Sequence, residues 1–192
     1  MLPDVPGPFD AHCSASLLMM TQDEHEMPQA LRAVGAVPLD LDGAGLRILA
    51  EFQPLAETEA WFSEAGSCDG VSARDFLVFA VDEEEGYDYV AIWLARAGAA
   101  ITDQPVIAVG PYRRPELLAP DLDGFLWAIA DAFTPMGADS LEGSTNYHLV
   151  DVAKRFAPER RLTLTEAQAT AQAAFPEFPS LFAGWVQQPW RS

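Results

Sequence analysis

Two short apolar runs near the middle of the chain constrain its fold more than any other feature. Residues 76–81 (FLVFAV) and 89–94 (YVAIWL) are rich in aromatic and β-branched side chains and have the length of strands. The connection between them, DEEEGYD, is short and contains a glycine. The two runs therefore predict an antiparallel β-hairpin.

Further strands and helices are predicted on both sides of this hairpin. Strands are expected at residues 46–52, 105–110 and 117–119, and short helices at residues 28–34 and 57–66. Longer helices are expected at residues 121–133, 147–156 and 163–175. Because the strands precede most of the helices, we expect an α+β fold with a twisted antiparallel sheet of about four to six strands flanked by helices.

Local signals refine some of these boundaries. Asp121 or Asp123 is expected to cap the helix that follows it, and Thr165 the last long helix. The segment PYRRPE before residue 117 is predicted to be a turn. The tail from residue 175 to residue 190 is rich in aromatic residues and proline, so we expect it to dock on the body of the domain.

Length and cysteine usage indicate the class of protein. The 192 residues suffice for a single domain with a buried core. Cys13 and Cys68 have neither a metal-binding spacing nor the density of a disulfide framework, which favours two reduced thiols. The first residues lack the basic and apolar regions of a signal peptide, and no apolar run is long enough to span a membrane. We therefore expect a cytoplasmic protein.

The charge of the chain limits its partners. It carries 29 acidic and 11 basic side chains, a formal net charge of −18, and residues 1–100 hold 18 of the acids but only 4 of the bases. Such a field repels nucleic-acid backbones and anionic membranes, and it favours a basic protein partner.

The sequence has no recognised catalytic motif. A phosphate-binding glycine loop, a serine-nucleophile elbow and a zinc-binding His or Cys spacing are all absent. His12, His25 and His148 stand in unrelated contexts. We therefore expect neither an enzyme nor a cofactor.

The acidic connection of the hairpin is the candidate functional site. It places five carboxylates within seven residues, and the candidate partner-binding residues are Asp82, Glu83, Glu84, Glu85, Tyr87 and Asp88. Three interpretations stay open. The acids are a solvated turn that discourages edge pairing, a face for a basic partner, or a divalent-ion site on Asp82, Glu84 and Asp88 in a small hydrolase. Tyr89 either joins the partner face as an aromatic anchor or faces the core.

The central part of the chain resembles the SMI1/KNR4 family of the SUKH superfamily. Residues 76–81 match its strand of the type F-hydrophobic-F, and an acidic, glycine-containing turn follows. Residues 89–94, which include Trp93, match the next strand, and residues 105–110 match a strand that begins Pro-Val and ends in glycine. Residues 118–127 match the family's entry into a helix.

The resemblance covers residues 74–133 and implies both a fold and a role. It implies one SMI1/KNR4-like domain over residues 1–192, with a helical C-terminal part at residues 134–192. At residues 111–114 the chain has Pro-Tyr-Arg-Arg where many members have a glycine-containing step. Many bacterial members are immunity proteins, so the resemblance implies a binding protein that neutralises a polymorphic toxin, such as a basic nuclease domain, by occlusion. It also permits a regulatory or scaffold role outside immunity.

Overall fold

The structure is a computed structural model that describes residues 25–37, 46–65, 68, 70–82, 88–111, 113–132 and 146–185. Within these ranges the chain forms five strands and six α-helices. The strands are β1 (Leu46–Ile48), β2 (Phe76–Asp82), β3 (Asp88–Trp93), β4 (Val106–Gly110) and β5 (Arg113–Ala119). The helices are α1 (Gln29–Gly35), α2 (Leu55–Glu64), α3 (Leu122–Ala132), α4 (Asn146–Phe156), α5 (Leu164–Ala174) and α6 (Phe178–Leu181).

The five strands form one antiparallel sheet in which each strand pairs with its sequence neighbours, in the order β1-β2-β3-β4-β5. The predicted hairpin is confirmed. Phe76 pairs with Trp93 at its open end, and Asp82 pairs with Asp88 where the connection begins. With helices packed on both faces of this sheet, the predicted α+β class is confirmed.

A β-bulge in β2 decides which side chains reach each face of the sheet. The ladder skips Phe79, an extra residue between Val78 and Ala80. Strict alternation would put Phe79 and Ala80 on opposite faces, but the bulge places both in the same core cluster. Val81, which follows the bulge, shares a face with its ladder partner Tyr89.

Both faces of the sheet bury large apolar side chains. On one face, Leu77 and Ile92 pack with side chains of α1, α3 and α4. On the other, Val78 and Trp93 pack with α2 and the segment 175–185. Full burial of each such side chain contributes about 1.5–3 kcal/mol, so the two clusters hold the sheet between two layers.

The C-terminal segment closes the second face, as predicted for the part that the structure describes. Phe178, Phe182 and Trp185 are buried against the sheet. The Trp185 indole donates a hydrogen bond to Gly110 O at 3.2 Å, which satisfies its polar atom in the buried position.

Helix α5 covers the outer edge of β5. Its Ala167 belongs to the core cluster on one face of the sheet and its Ala171 to the cluster on the other, so the helix crosses the edge. Between them, Gln168 Nε2 donates to Glu116 Oε1 on β5 at 2.9 Å. A covered edge strand cannot pair with another chain, which protects the sheet from edge-to-edge association.

The strand predicted at residues 46–52 is shorter than expected, since β1 ends at Ile48. Two further predicted boundaries are wrong. The cap of α5 is Thr163 rather than Thr165: the Thr163 hydroxyl accepts from Glu166 N at 3.2 Å, and Glu166 Oε2 accepts from Thr163 N at 2.9 Å. Thr165 with Gln168 fits the same capping pattern, but Asp131 on α3 accepts from Leu164 N at 3.1 Å and so stabilises the earlier start.

The second error is in the segment PYRRPE, where β5 already begins at Arg113. Its Pro115 lies where the register with β4 shifts, between the pairs Gly110–Arg113 and Ala108–Glu116. A proline at a bulge in an edge strand removes no ladder hydrogen bond, so the strand tolerates it.

Candidate functional site

An open groove lies between β1 and α2 on the second face of the sheet. It has a volume of about 620 Å³. We call it the β1–α2 groove, defined by an apolar floor and an acidic rim. The floor includes Leu49, Trp61, Val81 and Tyr89, and the rim includes Glu51, Glu57 and Glu64.

The spacing of residues on α2 produces one wall of this groove. Glu57, Ala60, Trp61 and Glu64 all line it and lie at offsets of three, four and seven residues, which places them on one side of the helix. Glu59 lies on the same helix and is exposed, but it does not line the groove. The helix therefore presents two carboxylates with an indole between them.

The floor is held by a stacked aromatic pair. The rings of Trp61 and Tyr89 have centroids 4.9 Å apart and planes inclined by 21°. Trp61 is 6% exposed and Tyr89 is half-buried. With the amide of Gln53 oriented to meet its donors, its oxygen accepts from Trp61 Nε1 and from Thr58 N, each at 3.2 Å. The indole is thus held by a hydrogen bond to Gln53 and by its stacking on Tyr89.

The rim makes the groove electronegative. Glu51 and Glu57 are exposed and form no salt bridge with another described residue. Arg47 is the one base among the described lining residues, against three glutamates. Carboxylates that flank a low-dielectric floor focus a negative potential into the groove, which attracts a cation there.

The predicted acidic connection leaves the sheet next to this groove. Val81 and Tyr89, which line the groove, immediately precede and follow the closing pair Asp82–Asp88 of the β2–β3 hairpin. The structure describes the backbone of Asp82 and Asp88. Glu83, Glu84, Glu85 and Tyr87 lie outside the described residues, so the partner-binding role of all six stays a prediction.

A second groove lies between β5 and α6, on the same face of the sheet but at its opposite edge. It has a volume of about 560 Å³, and we define this β5–α6 groove by Leu117, Phe175, Phe178 and Phe182 in its floor and by Arg114 at its rim. Arg96 lies just after β3, and its guanidinium stacks on the Phe175 ring, 4.7 Å from the ring centroid. This contact supports the floor.

The structure brings together residues that the sequence analysis did not single out. Glu57, Trp61 and Glu64 had a usable signal, because two acids and a tryptophan at helical spacing indicate one mixed face. Glu51 had none, because it reaches the groove only through the path of the chain between β1 and α2. Tyr89 was assigned to either a partner face or the core; it is half-buried in the groove floor.

The described residues hold no group of three or more His, Cys, Asp or Glu side chains that could ligate a metal ion. The ion site predicted on Asp82, Glu84 and Asp88 falls on side chains outside this description. Among the helices in the described ranges, none has the length and apolar character needed to cross a membrane.

Comparison of the chain with known proteins found no match among family models, curated proteins or solved structures. The likeness to the SMI1/KNR4 family therefore rests on the sequence pattern of residues 74–133 alone, and the functional argument rests on the geometry of the grooves.

Proposed function

We propose that this protein is a cytoplasmic binding module that captures a basic protein partner through the β1–α2 groove and the adjoining acidic connection at residues 82–88. The observation that carries the proposal is the position of the groove. Its floor residues Val81 and Tyr89 adjoin the Asp82–Asp88 pair, at which the connection with its cluster of five acids leaves the sheet.

The resemblance to the SMI1/KNR4 family supports a particular role for such a module. An immunity protein of this kind neutralises a polymorphic toxin by covering its active site or its substrate path. A toxin that cleaves nucleic acid presents a basic surface to hold phosphates, and an acidic face on its inhibitor substitutes for that polyanion. The net charge of −18 serves the same end, because it accelerates encounter with a basic partner.

The test uses toxin domains encoded beside the gene of this protein. Each domain is purified, and its association with the protein is followed by stopped-flow fluorescence at low and high salt. The groove variant is E51Q/E57Q, and the connection variant is D82N/E83Q/E84Q/E85Q/D88N. The matched control is E59Q/E177Q, which removes two exposed carboxylates that do not line the groove.

We expect both acidic-site variants to associate more slowly than the control at low salt, with the differences shrinking at high salt because surface charges are screened. Co-expression should protect cells from the toxin, and the variants should protect less. Failure of every neighbouring toxin domain to bind, or equal rates for all variants, would overturn the proposal.

The hydrolase interpretation gives a different result in a separate measurement. A divalent ion held by the connection would raise the thermal midpoint of the wild type but not of the connection variant, because it binds only the folded site. The binding proposal expects no such shift with Mg²⁺, Ca²⁺ or Zn²⁺.

A further inference from the structure

We infer that the β1–α2 groove receives an arginine side chain of the partner, with the guanidinium against the Tyr89 ring and between the carboxylates of Glu51 and Glu57. This inference rests on the proposed function and narrows it. It names the chemical group that enters the groove and the residues that select it.

The lining of the groove matches the two parts of an arginine side chain. Leu49 and Val81 in the apolar floor can pack against the methylene stem, while the Tyr89 ring contacts the guanidinium. The carboxylates at the rim then lie where the charged head emerges. A purely apolar side chain fits less well, because it would remove water from Glu51 and Glu57 without giving them a partner.

The stacked aromatic pair favours arginine over lysine. A guanidinium is planar, is more weakly hydrated than an ammonium, and stacks on aromatic faces. It also offers several N–H donors in one plane, so it can serve two carboxylates that approach from different elements. Glu51 lies before α2 and Glu57 within its first turn, and both line the groove.

The β5–α6 groove lacks this combination. Its rim carries the exposed Arg114, and its carboxylate Glu116 already accepts a hydrogen bond from Gln168 at 2.9 Å. This groove therefore sets one arginine against one carboxylate, whereas the β1–α2 groove sets Arg47 against three glutamates. The difference in charge between the two grooves therefore assigns the basic side chain to the β1–α2 groove.

The test uses three blocked peptides of the same length and spacing, rich in arginine, in lysine or in citrulline. Citrulline keeps the planar shape of arginine without its charge. Binding to the full chain is measured by calorimetry and by the NMR signal of the Trp61 indole N–H, which is assigned with a W61F variant. The protein variants are E51Q/E57Q, Y89L and Y89F, with E59Q/E177Q as the control.

We expect the arginine peptide to bind at least about fivefold more tightly than the lysine peptide and to shift the Trp61 signal, and the citrulline peptide not to bind. E51Q/E57Q and Y89L should weaken binding of the arginine peptide by about fivefold or more and abolish its higher affinity relative to the lysine peptide. Y89F and the control should leave both unchanged.

Other outcomes separate this inference from the proposed function. Equal binding of arginine and lysine peptides, or full binding by E51Q/E57Q with an unmoved Trp61 signal, would overturn the arginine assignment while leaving a basic partner in place. Failure of every toxin domain to bind overturns the proposed function itself. If Y89L does not fold, E51Q/E57Q and the Trp61 signal still decide the question.

Discussion

The ring of Trp61 on α2 stacks on the ring of Tyr89 on β3, with centroids 4.9 Å apart and planes inclined by 21°. This contact joins a helix to the sheet across the floor of the β1–α2 groove. It also places Trp61 beside Phe62 and Trp185, whose rings lie 6.0 and 6.3 Å from it. The groove floor and the second core cluster are therefore one packed unit.

Truncation of Trp61 should destabilise the protein as a core substitution does. We expect W61A to lower the free energy of unfolding by about 3–5 kcal/mol, because it leaves a cavity and removes the ring contacts with Tyr89, Phe62 and Trp185. W61F should cost less, about 1–2 kcal/mol, because it keeps a ring but leaves the Gln53 oxygen without its indole donor. Urea unfolding measures both. The control is Y147A, at a tyrosine that is 64% exposed, and it should change the free energy of unfolding little. A W61A effect as small as that of Y147A would contradict the packing of Trp61 in the groove floor.

Gln104 fixes the connection between β3 and β4. Its Oε1 accepts from Arg96 N at 2.8 Å, its Nε2 donates to Arg96 O at 2.6 Å, and the side chain is 2% exposed. We expect Q104L to lower the free energy of unfolding by about 2–4 kcal/mol, because two backbone groups lose their partners in a buried position. Q172L, at an exposed glutamine, is the matched control in the same urea experiment. Equal urea midpoints for Q104L and Q172L would contradict a stabilising role of the Gln104 hydrogen bonds.

The capping box of α5 should contribute to stability in a pH-dependent way. Hydrogen bonds from the Thr163 backbone and hydroxyl lower the pKa of Glu166 below its ordinary value of 4.5. A depressed pKa means that the contribution of this carboxylate is present above its unfolded-state pKa and is lost as the pH falls through its folded-state pKa. The stability advantage of wild type over E166Q should therefore be largest at neutral pH and disappear in acid.

Alanine at the two candidate caps of α5 provides a companion measurement. T163A should cost about 1 kcal/mol of unfolding free energy, because Glu166 N loses its acceptor. T165A, at an exposed threonine that does not cap the helix, should change it by less than about 0.5 kcal/mol. A larger loss of unfolding free energy for T165A than for T163A would instead identify Thr165 as the cap.

Asp121 and Asp123 should have opposite effects on stability although they are close neighbours. Asp121 Oδ1 accepts from Gly124 N at 2.8 Å, and its other oxygen pairs with Arg160, so D121A should cost at least about 1 kcal/mol. Burial, followed by the charge of Asp121, raises the pKa of Asp123 above its ordinary value of 3.8.

A raised pKa means that protonated Asp123 favours the folded state, and this contribution is lost as the pH rises through the folded-state pKa. D123N should therefore match wild type in acid and gain in relative stability toward neutral pH. Thermal unfolding across this pH range measures the difference, and a D123N that loses stability as the pH rises would contradict the sign.

Much of the fold could be predicted from the sequence because its signals are local. The runs at residues 76–81 and 89–94 have the length and the aromatic and β-branched content of strands, and the apolar spacing in residues 121–133 indicates a helix. The errors lie where two local patterns compete. Thr163 and Thr165 both fit a capping box, and the hydrogen bond from Leu164 N to Asp131, on another helix, favours Thr163.

The candidate site was predicted only in part for the same reason. The sequence drew attention to the acids at residues 82–88 and to Tyr89, because they adjoin the hairpin. It gave no reason to combine them with Glu51 or Trp61, which are distant along the chain. Their proximity depends on how α2 packs on the sheet.

The sequence by itself determined the α+β class, the central hairpin and the acidic charge, since these depend on composition and on periodicity within short segments. Only the tertiary structure decided the bulge at Phe79, which turns Val81 toward Tyr89, and the groove that these residues form with α2. The physical reason is that a bulge and a groove are products of packing between elements. Their free energies depend on contacts between distant residues, which no single segment of the sequence contains.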